Sequence, residues 1–214
     1  MTQRERMDEI IRRLGIIYHD VACGLAFETP FQLLVATMLS AQTTDVQVNK
    51  VTSELFLLYR TPLDFAGLAQ QTLEPLIKSC GYYHTKAKHI IAASRMILQE
   101  YGGEVPDTIK ELMKLPGVGR KTANVVYANA FGGDAIAVDT HVFRVANRLG
   151  LAKAKNVEKT EMQLMQNIPK EQWSKAHHWI IWHGRRICSA RKPKCETCPL
   201  ADVCSFYMAQ VQAS

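Results

Sequence analysis

The chain has 214 residues, 47% of them hydrophobic, which is enough for one large domain or two smaller ones with true cores and excludes a natively disordered chain. Its net charge of +6 favours polyanionic partners, nucleic acid or an anionic membrane surface, without choosing between them. No stretch is long and apolar enough to span a membrane, and the opening MTQRERMDEIIRRLGI is charged where a secretion signal needs its apolar region, so a cytoplasmic location with no membrane partner is expected.

In chain order, Ile10, Ile11, Leu14 and Ile17 mark the apolar face of a first helix, and Phe31, Leu34, Val35, Met38 and Leu39 that of a second. Further helices are predicted over 44–59, 85–101, 121–131, 140–149, 157–167 and 174–186, separated by Gly, Pro or Asp. Long alternating strand patterns are missing, so the fold class is all-α. Neither a Ser/Gly linker nor a repeat interrupts the chain, and Gly132-Gly133 is the best seam between packed helical units.

The segment Leu115-Pro116-Gly117-Val118-Gly119-Arg120-Lys121-Thr122-Ala123 reads as helix, tight turn, helix. Pro116 is expected to end the first helix, while Gly117 and Gly119 permit positive φ and expose backbone N–H groups at the start of the second, a geometry suited to a phosphate oxygen. A nucleotide-binding P-loop is excluded because Arg120, not Gly, precedes Lys121. From the turn alone, a plain Gly/Pro connection in a helical bundle explains the pattern as well. Lys121, in the first helical turn, is placed where the helix dipole and partial desolvation would disfavour its ammonium form, and a neutral amine is a nucleophile towards carbonyl-level carbons. A lone lysine is usually a solvated charge.

Downstream, Ala135-Ile136-Ala137-Val138-Asp139-Thr140-His141-Val142-Phe143-Arg144 is an apolar approach ending in an acid at a helix start. Asp139 reads first as an N-cap, but capping and catalysis are compatible, because a carboxylate fixed by backbone donors can offset positive charge developing on a sugar.

Together, LPGVGRKTA at 115–123 and VDTHVFRVANRLG at 138–150 resemble the helix–hairpin–helix and Gly/Pro-Asp signature of the DNA glycosylase superfamily, and Lys121 places the chain in its lyase branch. LLVATMLSAQTTD at 33–45 and the C-terminal cysteines are similar to the endonuclease III family in particular. The resemblance implies a two-lobed fold, with a helical barrel domain over 22–132 and a cluster domain combining 1–21 with 133–214. It implies removal of oxidised pyrimidines from double-stranded DNA and nicking of the abasic site through a Lys121 Schiff base assisted by Asp139. A monomer associated with the nucleoid is expected.

The last third carries Cys188-x6-Cys195-x2-Cys198-x5-Cys204, while Cys23 and Cys80 stand apart. Four thiolates suit zinc and iron–sulfur clusters alike, although zinc usually pairs two C-x2-C units and only one is present. The same spacing in the endonuclease III family and its adenine-glycosylase relatives implies a [4Fe–4S] cluster. Arg185, Arg186, Arg191, Lys192 and Lys194 surround Cys188, with no acid until Glu196, a cationic edge read as a second DNA-backbone contact beside Gly117, Gly119 and Arg120.

Extruding a base leaves a gap in the stack that the protein must fill. Gln42 matches the position where the resemblance implies an inserted residue, with Asp45 nearby, and a plain polar residue at a helix end is the alternative. Tyr82, in Gly81-Tyr82-Tyr83, stands where the family often has Leu and looks more like the adenine glycosylase branch; it either wedges by stacking or packs on a neighbouring helix. His141 is a pocket residue by resemblance. His177, His178 and His183 lack the spacing of a metal site, and Trp173, Trp179 and Trp182 read as packing residues. The rivals are an adenine glycosylase, which Lys121 and the absence of a C-terminal mismatch-reading extension oppose, and a non-catalytic cluster protein, which would need neither Lys121 nor Asp139.

Overall fold

The computed structural model of the chain describes residues 1–212, and among them there are helices and turns but no strand. The twelve α-helices are α1 (Gln3–Ile17), α2 (Pro30–Leu39), α3 (Asp45–Leu58), α4 (Pro62–Ala66), α5 (Gln70–Ile77), α6 (Tyr83–Glu100), α7 (Ile109–Leu112), α8 (Arg120–Ala130), α9 (Thr140–Leu149), α10 (Val157–Asn167), α11 (Trp173–Arg186) and α12 (Ser205–Gln212). Most start on a side-chain cap. Thr2, Thr29, Thr44, Thr61, Thr108, Asp139 and Asn156 each accept a hydrogen bond from a first-turn N–H, and Thr2 and Thr61 form reciprocal boxes with Glu5 and Asp64.

The chain divides into two compact units, one from Met1–Ala22 with Asp134–Ser214 and the other Cys23–Gly133. In the continuous unit, α2 is buried all round from Phe31 to Leu39, which is why its sequence is apolar on every face rather than on one stripe. It packs on α3, α6 and α8, and α4 and α5 cover α6, closing a core around Leu33, Leu34, Leu39, Phe65, Leu73, Ile90 and Val126. Each such leucine contributes about 2 kcal/mol by leaving water. In the other unit α9 and α11 pack together, with α1 on α11 and with α10 and α12 on α9. Gly184 permits the α9–α11 approach, since a Cβ there would lie 2.9 Å from a Val145 methyl, and Gly15 lets the Trp179 ring lie against α1.

Three short helices escape the sequence pattern. α4 spans five residues, α5 contains Pro75, and α12 follows the cysteine loop, where periodicity has too little length to show.

Candidate active site

The 109–130 segment folds as helix, turn, helix, with two differences from expectation. α7 ends at Leu112, four residues before Pro116, and successive turns carry the chain onward, Leu115 N–H to Leu112 O and Val118 N–H to Leu115 O at 3.1 Å each. Pro116 therefore stiffens the turn instead of ending the helix. Gly117 adopts φ +78, whereas Gly119 is extended at φ −90 and needs no left-handed freedom. What Gly119 supplies is open space at the start of α8, where no side chain caps the first-turn N–H groups. Helix-start N–H groups beside an open surface suit a phosphate oxygen.

Lys121 is the second residue of α8 and is exposed, so the partial desolvation expected of it is not provided by the protein alone. The Cys23 thiol nearby is pushed up chiefly by burial; Asp45 adds to the rise and Lys121 opposes it, which places a carboxylate and the amine within electrostatic range of one side chain. The Asp45 carboxylate also fills the space beside Gly24, where a Cβ would lie 2.6 Å from Oδ2.

Asp139 caps α9, its Oδ1 accepting from Val142 N–H at 2.8 Å. The strand-like approach before it is buried from Ala135 to Val138, and His177, itself buried, bonds the Ala137 carbonyl through Nδ1 at 2.7 Å. His141, half-buried two residues on, meets the Arg144 guanidinium at Nδ1 at 3.3 Å.

Gln42 and Tyr82 share a property that sequence did not suggest: they are the non-glycine residues with positive φ among those described, +56 and +46. Tyr82 is 68% exposed, which rules out its packing on a neighbouring helix, and Gln42 is exposed as well. Both border a shallow cavity with Met38, Thr85, Lys86 and Gly117.

The four clustered cysteines, Cys188, Cys195, Cys198 and Cys204, line one cavity, with Leu149, Ile187 and Phe206 as apolar walls. Among the described residues no His, Cys, Asp and Glu group converges as the ligand set of a metal ion. Four thiols lining one apolar-walled space suit a thiolate-held cluster. Burial pushes the thiols of Cys195, Cys198 and Cys204 up, so it takes the field of bound cations to keep them as thiolates.

Sequence reasoning missed the residues that hold this loop. Arg144 donates to the Cys188 carbonyl at 3.0 and 3.2 Å. Arg148 donates to the carbonyls of Ser189 at 2.7 Å and Ala190 at 2.8 Å and reaches Cys188 Sγ at 3.6 Å. The i, i+4 spacing of the two arginines was the available signal. His183, weighed only as a metal ligand, is buried, pulled down to about 4 by that burial, and sits between the Tyr18 hydroxyl on Nδ1 at 3.1 Å and Cys198 Sγ on Nε2 at 3.7 Å. Arg185, Arg186, Arg191, Lys192 and Lys194 are all exposed, and the Arg185 and Arg186 guanidinium groups lie over the Trp182 ring. Trp173 and Trp179 pack, as expected.

Residues 35–170 match the family described as HhH-GPD superfamily base excision DNA repair protein, and residues 188–204 match the iron–sulfur binding domain of endonuclease III. The chain is 47% identical to endonuclease III of Bacillus subtilis over 205 residues, covering 95% of this chain and 94% of that protein. It is 46% identical to endonuclease III of Escherichia coli K12 over 206 residues, 96% and 97% of the two chains. A solved structure of a trapped endonuclease III–DNA covalent intermediate superposes with a TM-score of 0.93 at 46% identity, covering 99% of this chain and all of that one.

Proposed function

Since the chain belongs to the HhH-GPD superfamily and, within it, to the endonuclease III family, we propose that Lys121 and Asp139 carry its chemistry. The protein is a DNA glycosylase and abasic-site lyase of base excision repair, and its cofactor is a [4Fe–4S] cluster. The observation that carries the assignment of residues is the exposed Lys121 amine, one residue inside a helix start that no side chain caps, behind a hairpin opened by Gly117 and Gly119.

In the glycosylase step the deprotonated Lys121 amine attacks C1′ of the damaged nucleotide, and the C1′–N bond breaks with its electron pair leaving on the base. Asp139 takes the proton the amine sheds, and its carboxylate offsets positive charge on the sugar. The nitrogen now bonded to C1′ expels the ring oxygen O4′, which takes the proton held by Asp139 as the ring opens to a C1′ imine; the imine acidifies C2′, and loss of a proton there expels the 3′ phosphate and nicks the strand. Gly117, Gly119 and Arg120 hold one backbone phosphate, and Arg185, Arg186, Arg191, Lys192 and Lys194 hold a second stretch. Gln42 and Tyr82 fill the vacated stack, and Asp45 and His141 each contact the extruded base. Cys188, Cys195, Cys198 and Cys204 hold the cluster, which cross-links the loop that displays the cationic edge.

The substrates are oxidised pyrimidines and abasic sites in double-stranded DNA, met on the nucleoid by a monomer, since one chain supplies both nucleophile and carboxylate. Borohydride reduction of the reacting mixture is expected to trap a covalent protein–DNA species. The same adduct from Lys121→Ala would overturn the nucleophile assignment, and a panel of duplexes in which oxidised purines are released faster than oxidised pyrimidines would overturn the substrate class.

A further inference from the structure

Lys86, on the first turns of α6, is buried to 7% exposure with no carboxylate among its hydrogen-bond partners. Its Nζ donates to three backbone carbonyls, Leu39, Ala41 and Cys80, at 2.7 Å each, and approaches Thr43 Oγ1 at 3.2 Å. Three ammonium protons thus meet three carbonyls. The Thr43 hydroxyl in turn donates to the Cys80 carbonyl, and Gln47 Nε2 donates to Ser79 Oγ at 2.8 Å, so the segments on either side of the lysine are also tied to each other.

The placement of these acceptors is specific. Leu39 ends α2, which has no basic residue in its last turn, and a cation there is favoured by the helix dipole. A simple cap would stop at that carbonyl. Ala41 and Thr43, however, flank Gln42, and Cys80 stands two residues before Tyr82. Gln42 and Tyr82 are also the two non-glycine residues in the left-handed region among those described, and both side chains are exposed, so their own packing does not hold them there. Left-handed backbone at residues with a Cβ persists where surrounding structure over-determines it. One ammonium between two loops does so.

We propose that Lys86 is a positioning residue for base extrusion: its ammonium locks the 40–43 and 80–82 loops in the left-handed conformations that present Gln42 and Tyr82 outward to the DNA stack. The inference rests on the reading that these two side chains fill the gap. Burial lowers the pKa of Lys86, the Cys80 thiolate form opposing, a direction consistent with a lysine chosen for its donors rather than for an ion pair.

The test uses the full-length, cluster-loaded protein with Lys86→Met, which keeps an unbranched apolar stem one atom shorter and removes the donors, and Thr43→Val as a milder variant that keeps the lysine. Backbone hydrogen exchange reads the clamp. Exchange at 40–43 and 80–83 is expected to rise by about tenfold or more in Lys86→Met, and less in Thr43→Val, while α3 and α8 stay protected. The second readout is the fluorescence of 2-aminopurine placed opposite the lesion, which rises when its partner leaves the stack; that rise is expected to be lost in Lys86→Met. Unchanged exchange at both loops in a folded Lys86→Met protein overturns the clamp, and if that variant does not fold, unchanged exchange in Thr43→Val overturns it. Looser loops with a wild-type fluorescence rise overturn the role in extrusion. Gln42→Ala and Tyr82→Ala, measured alongside, separate the two ideas: a full fluorescence rise in both means that the stack reading itself fails.

Discussion

At Gly117 the backbone lies at φ +78, and a Cβ added there would sit 2.7 Å from the Cβ of His89 and 2.8 Å from its ring. Left-handed strain and a clash with a half-buried ring add up, so Gly117→Ala is expected to destabilise the protein by about 2–4 kcal/mol and to lower its melting temperature. Gly119 is extended and open, and Gly119→Ala is expected to cost no more than about 1 kcal/mol of stability while DNA affinity falls, because the methyl group occupies the approach to the α8 N–H groups. Melting curves and binding isotherms on the two variants should therefore dissociate; a matched loss of both properties in both variants would mean that the hairpin is only a connection. Asp139 allows a similar separation. Asn is as good an N-cap as Asp, so Asp139→Asn should keep α9 and DNA binding while base release drops sharply. Unchanged turnover would leave Asp139 as a cap and nothing more.

The cysteine loop depends on a helix distant in sequence. Arg148 on α9 bridges to the carbonyls of Ser189 and Ala190 and also lies 4.8 Å from the Phe206 ring centre, so it ties the loop's start to α12. Arg148→Met removes charge-assisted bonds worth up to about 1.5–3 kcal/mol each, and iron content per purified protein is expected to fall with α9 still helical. Full iron loading would show that the cysteines organise the loop unaided. At this scale α9 and α10 were legible to the residue, because Asp139 and Asn156 cap their starts and Gly150 closes α9 in the left-handed conformation. The start of α6 was not: it begins at Tyr83, after a left-handed Tyr82 without a side-chain cap, held by Lys86 through partners 40 or more residues earlier. Patterns within a window report caps and periodicity; they do not report a lysine whose acceptors come from another helix. The same limit hid Arg144, Arg148 and His183, whereas Lys121, Asp139 and the four cysteines could be proposed from sequence because each stands in a short contiguous motif.

At the scale of the molecule, one unit is assembled from both ends of the chain, and α1 reaches the end of the cysteine loop through charge. Arg13 donates to Glu9 on its own helix, to both Asp202 oxygens at 2.7 and 3.0 Å, and to the Pro199 carbonyl at 3.1 Å. Arg12 and then Arg13 hold the Glu9 carboxyl down from an ordinary 4.5 to about 2, and Arg13 lowers that of Asp202. A carboxyl with a depressed folded pKa binds protons first in the unfolded chain. Its contribution to stability is therefore fully present above about pH 4.5 and is lost as the pH falls towards 2. These groups lie at the surface, where salt screens them, so the expected effect is a modest one that is larger at low ionic strength. Melting temperature measured from pH 6 down to 3 should fall for the native protein more steeply than for Arg13→Gln, in which Asp202 loses the guanidinium that lowers its pKa while Glu9 keeps Arg12; high salt should bring the two curves together. Parallel curves at low salt would mean that α1 is held by its apolar face alone, through Ile10, Leu14 and Tyr18, and that the charges only decorate it.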